Sequence, residues 1–172
     1  MKQRIQNMNL KNKRVILRLD LNVPINNGQI LDDTKIVASL ETIKYLLSQN
    51  CSIVILSHLG KIKEEADKKK YTLEPIALHL KTLLNQEVYF ARENFGEGIY
   101  ERVKLLQGKE ILVLENTRFM DLQGRMESNC DAQLSLFWAS LGEVFINDAF
   151  ASMHRRHAST YGIAEYLPSG IG

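Results

Sequence analysis

The sequence predicts an α/β domain, with a mostly parallel sheet of about six strands covered by helices on both faces. Three observations predict it. Short apolar runs alternate along the chain with stretches of helical periodicity. The runs are apolar at nearly every position, as in strands buried on both faces. Polar residues arrive in clusters just after several of these runs, where parallel sheets bind their ligands.

The elements can be justified in order. Val15, Ile16, Leu17, Leu19, Leu21 and Val23 make a nearly continuous apolar run, read as a central strand, and Pro24 ends ladder pairing because it has no N–H. Asn26-Asn27-Gly28 is a turn signal. Asp32, Asp33 and Thr34 supply cap and first-turn residues for a helix to about residue 48, with Ile36, Leu40, Ile43, Leu46 and Leu47 as its apolar stripe. Residues 52–56 are a second buried strand, and the charged stretch 61–70 reads as a solvated loop. Thr72 and Pro75 open a helix through residue 84, on which His79 has no special role. Residues 87–90 are a short strand, 98–106 a helix stopped by Gly108, and 110–114 a further strand. The polar span 121–129 is a loop. Residues 131–141 form a helix closed by Gly142, with Leu134, Phe137, Trp138 and Leu141 in the core, and 143–146 a last strand. The sum is a Rossmann-like, three-layer α/β/α domain occupying residues 1–172.

Composition narrows the function classes. Hydrophobic content of 45% and charged content of 24% are globular values. No apolar stretch approaches the roughly 20 residues that cross a bilayer, so no membrane partner is expected. The polar, basic amino terminus lacks the apolar region of a secretory leader, which predicts a cytoplasmic protein with Cys51 and Cys130 reduced. A net charge of +2 is too small to imply nucleic acid, and a monomer is the expectation.

The strand ends carry the chemistry. Asp20/Asn22, Ser57/His58, Asn116/Arg118 and Asn147/Asp148 fall on one edge, within reach of His154-Arg155-Arg156-His157. Lys61, Arg118, Arg155 and Arg156, with His58, His154 and His157, suggest a rim for a small polyanion. Arg18 is the weakest member, since a mid-strand arginine often pairs with a neighbouring acid. Lys35 sits in a helix first turn, where the macrodipole disfavours a cation, and Gly60 would let backbone approach a ligand. Other chemistries fit worse. His154 and His157 have no third metal ligand at suitable spacing, so no metal is expected. Phosphate-cradling glycine loops and a serine nucleophile elbow are missing, and aromatics rarely interleave with the basic residues. Residue chemistry therefore stops at a parallel α/β domain binding a small anionic metabolite.

Arg18-Leu19-Asp20-Leu21-Asn22-Val23-Pro24 resembles the amino-terminal signature of the phosphoglycerate kinase family. Asp32-Asp33-Thr34-Lys35-Ile36, Ser57-His58-Leu59-Gly60-Lys61, Leu114-Glu115-Asn116-Thr117-Arg118-Phe119, Asn147-Asp148-Ala149-Phe150 and His154-Arg155-Arg156-His157-Ala158-Ser159 match its further motifs in order. The resemblance implies the amino-terminal domain of that kinase, holding 3-phosphoglycerate or 1,3-bisphosphoglycerate. The family's other domain binds magnesium with ADP or ATP, and closure of the two permits direct phosphoryl transfer; no cofactor is expected in this chain.

By the same resemblance, Asp20 and Asn22 contact the glycerate hydroxyl and carboxylate end, while His58, Arg118 and Arg155 hold anionic groups. His157 supports them, the backbone at Leu59 and Gly60 lines the pocket, and Leu21 and Lys61 are further substrate-binding residues. Lys35 stands where the family usually has an arginine that reaches the transferring phosphoryl group, so Lys35 and Arg155 are the expected catalytic cations. Lys61 also replaces a common arginine, and Ala151-Ser152 a usual Gly-Thr pair. The nucleotide domain is expected beyond Gly172, so this chain alone should be inactive. The runner-up is a stand-alone anion-binding module that kept the pocket and lost catalysis.

Overall fold

The structure, a computed structural model, describes residues 2–172. Along the chain it runs β1 (Gln3–Arg4), β2 (Arg14–Leu19), β3 (Ile25–Asn26), β4 (Gln29–Ile30), α1 (Thr34–Ser48), β5 (Ser52–Leu56), α2 (Asp67–Lys70) and α3 (Glu74–Leu84). β6 (Tyr89–Phe90), α4 (Glu97–Lys104), β7 (Ile111–Val113), α5 (Ala132–Ala139), β8 (Val144–Asp148) and β9 (Ser169–Ile171) follow. Among the described residues seven strands form one sheet in the order β1-β9-β8-β2-β5-β7-β6, with every pairing parallel.

β2 lies at the centre because its sequence tolerates no water. Residues 15–19 are each at most 1% exposed. Val15, Leu17 and Leu19, with Ile53, Ile55, Ile111, Val113 and Ile146, pack on one face against Ile36, Ile43 and Leu46 of α1 and Ile76 and Leu80 of α3. Ile16, Val54, Leu56, Leu112 and Phe145 pack on the other against Ile99 and Val103 of α4 and Leu134 and Trp138 of α5. The period-2 side-chain alternation of each strand thus feeds two separate cores, the physical content of three layers.

The structure differs from expectation in several places. Among the described residues the parallel sheet has seven strands rather than about six, because β1 and β9 close one edge with only two or three residues each. The turn at Asn26-Asn27-Gly28 is a complete two-residue hairpin joining β3 and β4. Asn27 (φ 49°) and Gly28 (φ 76°) both take the left-handed conformation that a type I′ turn requires. β2 ends at Leu19, although Leu21 and Val23 stay buried: Leu21 N–H leaves the ladder for Ser57 Oγ at 3.0 Å. Conversely β8 continues through Asn147 and Asp148.

Helix ends show the same local competition. Asp32, not Asp33, satisfies the start of α1, its Oδ1 accepting from the Thr34 N–H at 2.8 Å and hydroxyl at 2.6 Å. Asp33 instead meets His79 Nε2 of α3 at 2.8 Å, so His79 ties two helices together. The charged segment 61–70 is ordered by Asp67, whose carboxylate accepts from the Lys63 and Glu64 N–H groups, and ends in α2. α4 stops at Lys104, and the left-handed residue beyond it is Lys109 (φ 70°) rather than Gly108. α5 starts on Asp131, which accepts from Leu134 N–H at 2.9 Å, and ends at Ala139, before Gly142.

Leu17→Ala should therefore cost about 2–5 kcal/mol, because a cavity opens in a strand held on both faces and both edges. Leu31→Ala, at a side chain 64% exposed, should change stability by no more than about 0.5 kcal/mol. Urea unfolding of both variants checks the pair, and comparable losses would contradict this account of the core.

Candidate active site

Five polar side chains converge where β2 and β5 end. Asp20, Asn22, Lys35, His58 and Arg155, with Ala151 and Ser152, line a cavity of about 120 Å³. A neighbouring hollow of about 320 Å³ shares Asp20, Lys35 and Ala151 and extends toward Asp148 and Phe150. Lys35 reaches from the first turn of α1 to Asp20 Oδ2 at 3.1 Å, so its unfavourable helix position is answered by a carboxylate. Lys35 remains about half exposed.

The loops beneath the cavity are held by buried amides and a carboxylate. Asn22 Oδ1 accepts the Gly60 N–H at 2.9 Å, and Asp20 Oδ1 accepts the Asn22 N–H at 3.1 Å. Asn116, fully buried, donates to the carbonyls of Leu59 and Tyr71 and accepts from the N–H groups of Leu59 and Arg118. Glu115 accepts from Leu73 N–H, Asn116 N–H and the Thr72 hydroxyl, at 2.9, 2.8 and 2.6 Å. Asn116 is thus spent on scaffold rather than presented to a ligand.

The positive rim is smaller than the sequence count suggests. Arg18 is 1% exposed and pairs with no acid directly; its donors go to Ser159 Oγ (2.9 Å), the Leu19 carbonyl and His58 Nδ1 (3.0 Å). Burial, with Arg18 and Arg118 close by, pushes the His58 pKa down to about 3, so at neutral pH it carries no charge. Burial also lowers His157, against the pull of Glu127 and with Arg118 and Arg155 adding to the drop. Arg156 lies over the Tyr161 ring at 4.4 Å, away from the cavity lining. Arg118 keeps a buried Nε with no partner among the described residues. Arg155 is exposed at the cavity mouth.

Other expected site residues are not in the lining of this cavity. The side chains of Leu21 and Leu59 belong to the core, and exposed Lys61 lies outside the cavity lining. Gly60 (φ 60°) makes room for protein: a Cβ there would fall 2.5 Å from the Tyr71 ring. Arg118 and His157 are not among the lining residues, although Arg118 lies close to His58, and His157 close to Arg118 and Arg155. Sequence reasoning missed Glu127 and gave Ser159 no role. Glu127, in the polar span read as a loop, is fully buried and accepts from the Ser159 hydroxyl at 2.6 Å and N–H at 2.8 Å.

Comparison with known proteins matches nearly the whole chain. The family model described as phosphoglycerate kinase matches residues 5–172. A phosphoglycerate kinase of Macrococcus caseolyticus is 45% identical over 171 residues, and one of Staphylococcus aureus 47% identical. Each match covers 99% of this chain and 43% of the relative, so the chain spans less than half the length of the curated relatives it matches. Among solved structures, the phosphoglycerate kinase of Pyrococcus horikoshii superposes with a TM-score of 0.87 at 34% identity, covering 99% of this chain and 42% of that one. That of Coxiella burnetii gives 0.84 at 35%, covering 99% and 41%.

Glu115 offers a test of the scaffold. Burial raises its pKa above the ordinary 4.5, although three hydrogen bonds favour the anion. Between the ordinary and the raised value the folded state binds more protons than the unfolded, so this group's contribution becomes less favourable as pH rises through that window. Glu115→Gln has no such proton to lose, and one amide can still serve Leu73, Asn116 and Thr72. The unfolding free energy of the variant minus that of the parent should rise with pH across the window and level off above it. Chemical denaturation at several pH values measures it; a flat or falling difference would contradict the assignment.

Proposed function

The chain belongs to the phosphoglycerate kinase family, and on that premise we propose that residues 1–172 form the domain that holds 3-phosphoglycerate or 1,3-bisphosphoglycerate. The complete enzyme would transfer a phosphoryl group reversibly between 1,3-bisphosphoglycerate and ADP, giving 3-phosphoglycerate and ATP. Magnesium with ADP or ATP belongs, in this proposal, to a partner nucleotide domain. Among the described residues no group of three or more His, Cys, Asp and Glu is placed to hold a metal. No helix of the described residues is long and apolar enough to cross a membrane, and we propose a monomeric cytoplasmic protein.

The observation that supports this reading best is the convergence of one carboxylate, one amide, one imidazole and two cations on a single small cavity at the carboxyl edge of the sheet. Asn22 has its oxygen engaged by Gly60, which leaves its NH₂ to donate to a ligand oxygen. Asp20 can accept from a hydroxyl. Arg155 in the cavity lining, and Arg118 close to His58, are the proposed donors for carboxylate or phosphate oxygens. Lys35 sits in an ion pair with one half-exposed partner, a contact worth no more than about 1 kcal/mol. It can therefore exchange Asp20 for a phosphoryl oxygen at little cost. Lys35 and Arg155 are the proposed catalytic cations, acting by placing charge where it develops in transfer.

Calorimetric titration of the chain with 3-phosphoglycerate should show weak binding that declines with added salt. Arg118→Ala and Arg155→Ala should each weaken it by about tenfold, and Lys69→Ala hardly at all. Equal effects at the three positions would place the ligand elsewhere.

A second expectation concerns turnover. In an enzyme completed with its nucleotide domain, Lys35→Arg should raise kcat with little change in substrate affinity, because a planar fork meets more phosphoryl oxygens than an ammonium. Lys35→Ala should lower kcat by about 10²–10³. An arginine variant slower than the parent, or an alanine variant as fast, would remove Lys35 from the catalytic role. The chain alone should give no turnover in a coupled assay with ATP and 3-phosphoglycerate.

A further inference from the structure

Behind the cavity runs a chain of hydrogen bonds whose direction is forced at both of its charged members. Glu127, fully buried, is acceptor-only as a carboxylate, so the Ser159 hydroxyl must donate to it across 2.6 Å. That commits the only hydroxyl proton and leaves the Ser159 oxygen to accept Arg18 Nε–H at 2.9 Å. Arg18 is donor-only, so its Nη2, 3.0 Å from His58 Nδ1, can be accommodated only if Nδ1 is bare. The imidazole proton must then sit on Nε2. Among the described residues Nε2 takes no partner, and it is not a buried unpartnered atom. His58 itself lines the cavity.

We propose that Glu127, through Ser159 and Arg18, holds His58 as the neutral Nε2–H tautomer, so that His58 offers the cavity one directed hydrogen-bond donor and no charge. Glu127 and Ser159 are positioning residues here; neither lines the cavity. Protonating His58 would put a second N–H against Arg18 Nη2. The other charged groups around the ring are Arg118 from the turn Thr117–Leu122, Arg155 beyond Phe150–Ser152, and Asp20 after β2. Arg18, Arg118 and Arg155 oppose a charge on His58, and only Asp20 favours it.

The inference rests on the proposed glycerate site only for the identity of what Nε2–H meets. A donor of fixed direction selects an oxygen by geometry, whereas an imidazolium would attract any anion. The cations lining the cavity are then Lys35 and Arg155, with Arg118 close to His58.

The test is nitrogen NMR of the ligand-free chain labelled at histidine. In the parent, His58 should show a protonated Nε2 and a bare Nδ1, unchanged from about pH 8 to pH 5, the interval in which an ordinary histidine gains its charge. A protonated Nδ1, or titration in that interval, overturns the proposal. Ser159→Ala should draw the two nitrogen shifts toward each other, as tautomers mix, and remove the slowly exchanging Arg18 Nε–H signal. Ser135→Ala, which deletes another buried hydroxyl, bonded to the Asp131 carbonyl at 2.8 Å, should move neither. Glu127→Gln should act in the same direction as Ser159→Ala, because its NH₂, facing the Ser159 hydroxyl, donates to Oγ and no longer fixes where the hydroxyl proton points, and it serves if the alanine variant does not fold. His58 shifts unmoved in either folded variant would remove the positioning role. Adding 3-phosphoglycerate should then shift Nε2 alone; no response, with the ligand-free pattern intact, would count against the proposed function and leave the tautomer assignment standing.

Discussion

A guanidinium one residue from the carboxyl end of the central strand, 1% exposed, is the constraint from which the carboxyl edge takes its form. A charge of that kind costs several kcal/mol to remove from water unless its donors are met. β2 is paired on both edges, so the Arg18 side chain has only the α5 face to leave by. There it finds Ser159 in the turn Ala158–Gly162, and behind Ser159 the buried carboxylate of Glu127. Glu127 also binds that turn through backbone, its carbonyl accepting from Ala158 N–H at 2.9 Å. A polar stretch with little apolar character is thereby fastened to the domain by answering one charge.

The same constraint divides the basic residues into two populations. Arg18 and Arg156 are engaged by protein, one by a hydroxyl, a carbonyl and an imidazole, the other by an aromatic face. Lys35 and Arg155 face the cavity, with Asp20 as the acid among them. The site is therefore a mixed one. Cations provide attraction, which falls off with salt, while Asp20, Asn22 and His58 provide direction, which does not. A small ligand with both a hydroxyl and anionic ends suits that division.

Burial was legible in the sequence wherever it was repeated. Val15 to Leu19 and Ile53 to Leu56 are apolar at nearly every position, and only a strand covered on both faces accounts for that. Ordered polar motifs also brought Asp20, Asn22, Lys35, His58 and Arg155 into view before any geometry. Other features carried no repeat to read. β1 and β9 have two and three residues, too few to show a period, and β3 and β4 flank a recognisable turn with two residues each. Leu21 shows why strand ends are hard: its side chain continues the apolar pattern while its N–H has already left for Ser57. Arg18 could be seen mid-strand, but Ser159 lies 141 residues further on, and Glu127 sits among polar neighbours that gave no reason to bury it. Long-range satisfaction of one polar group has no local signature.

Strand order also has a consequence for the chain while it is being made. β2 gains β5 early, but its other neighbour, β8, emerges only with residues 144–148, and β1 waits for β9. At about 5–20 residues per second, one edge of the central strand stays open on the ribosome for on the order of ten seconds. An open edge of this composition is a template for mispairing between nascent chains. Arg18 interrupts it. Any foreign strand that docked there would have to enclose a guanidinium without Glu127 or Ser159, which the growing chain delivers before α5 and after β8. The charge that the finished fold must answer thus acts, during synthesis, as a gatekeeper against premature partners.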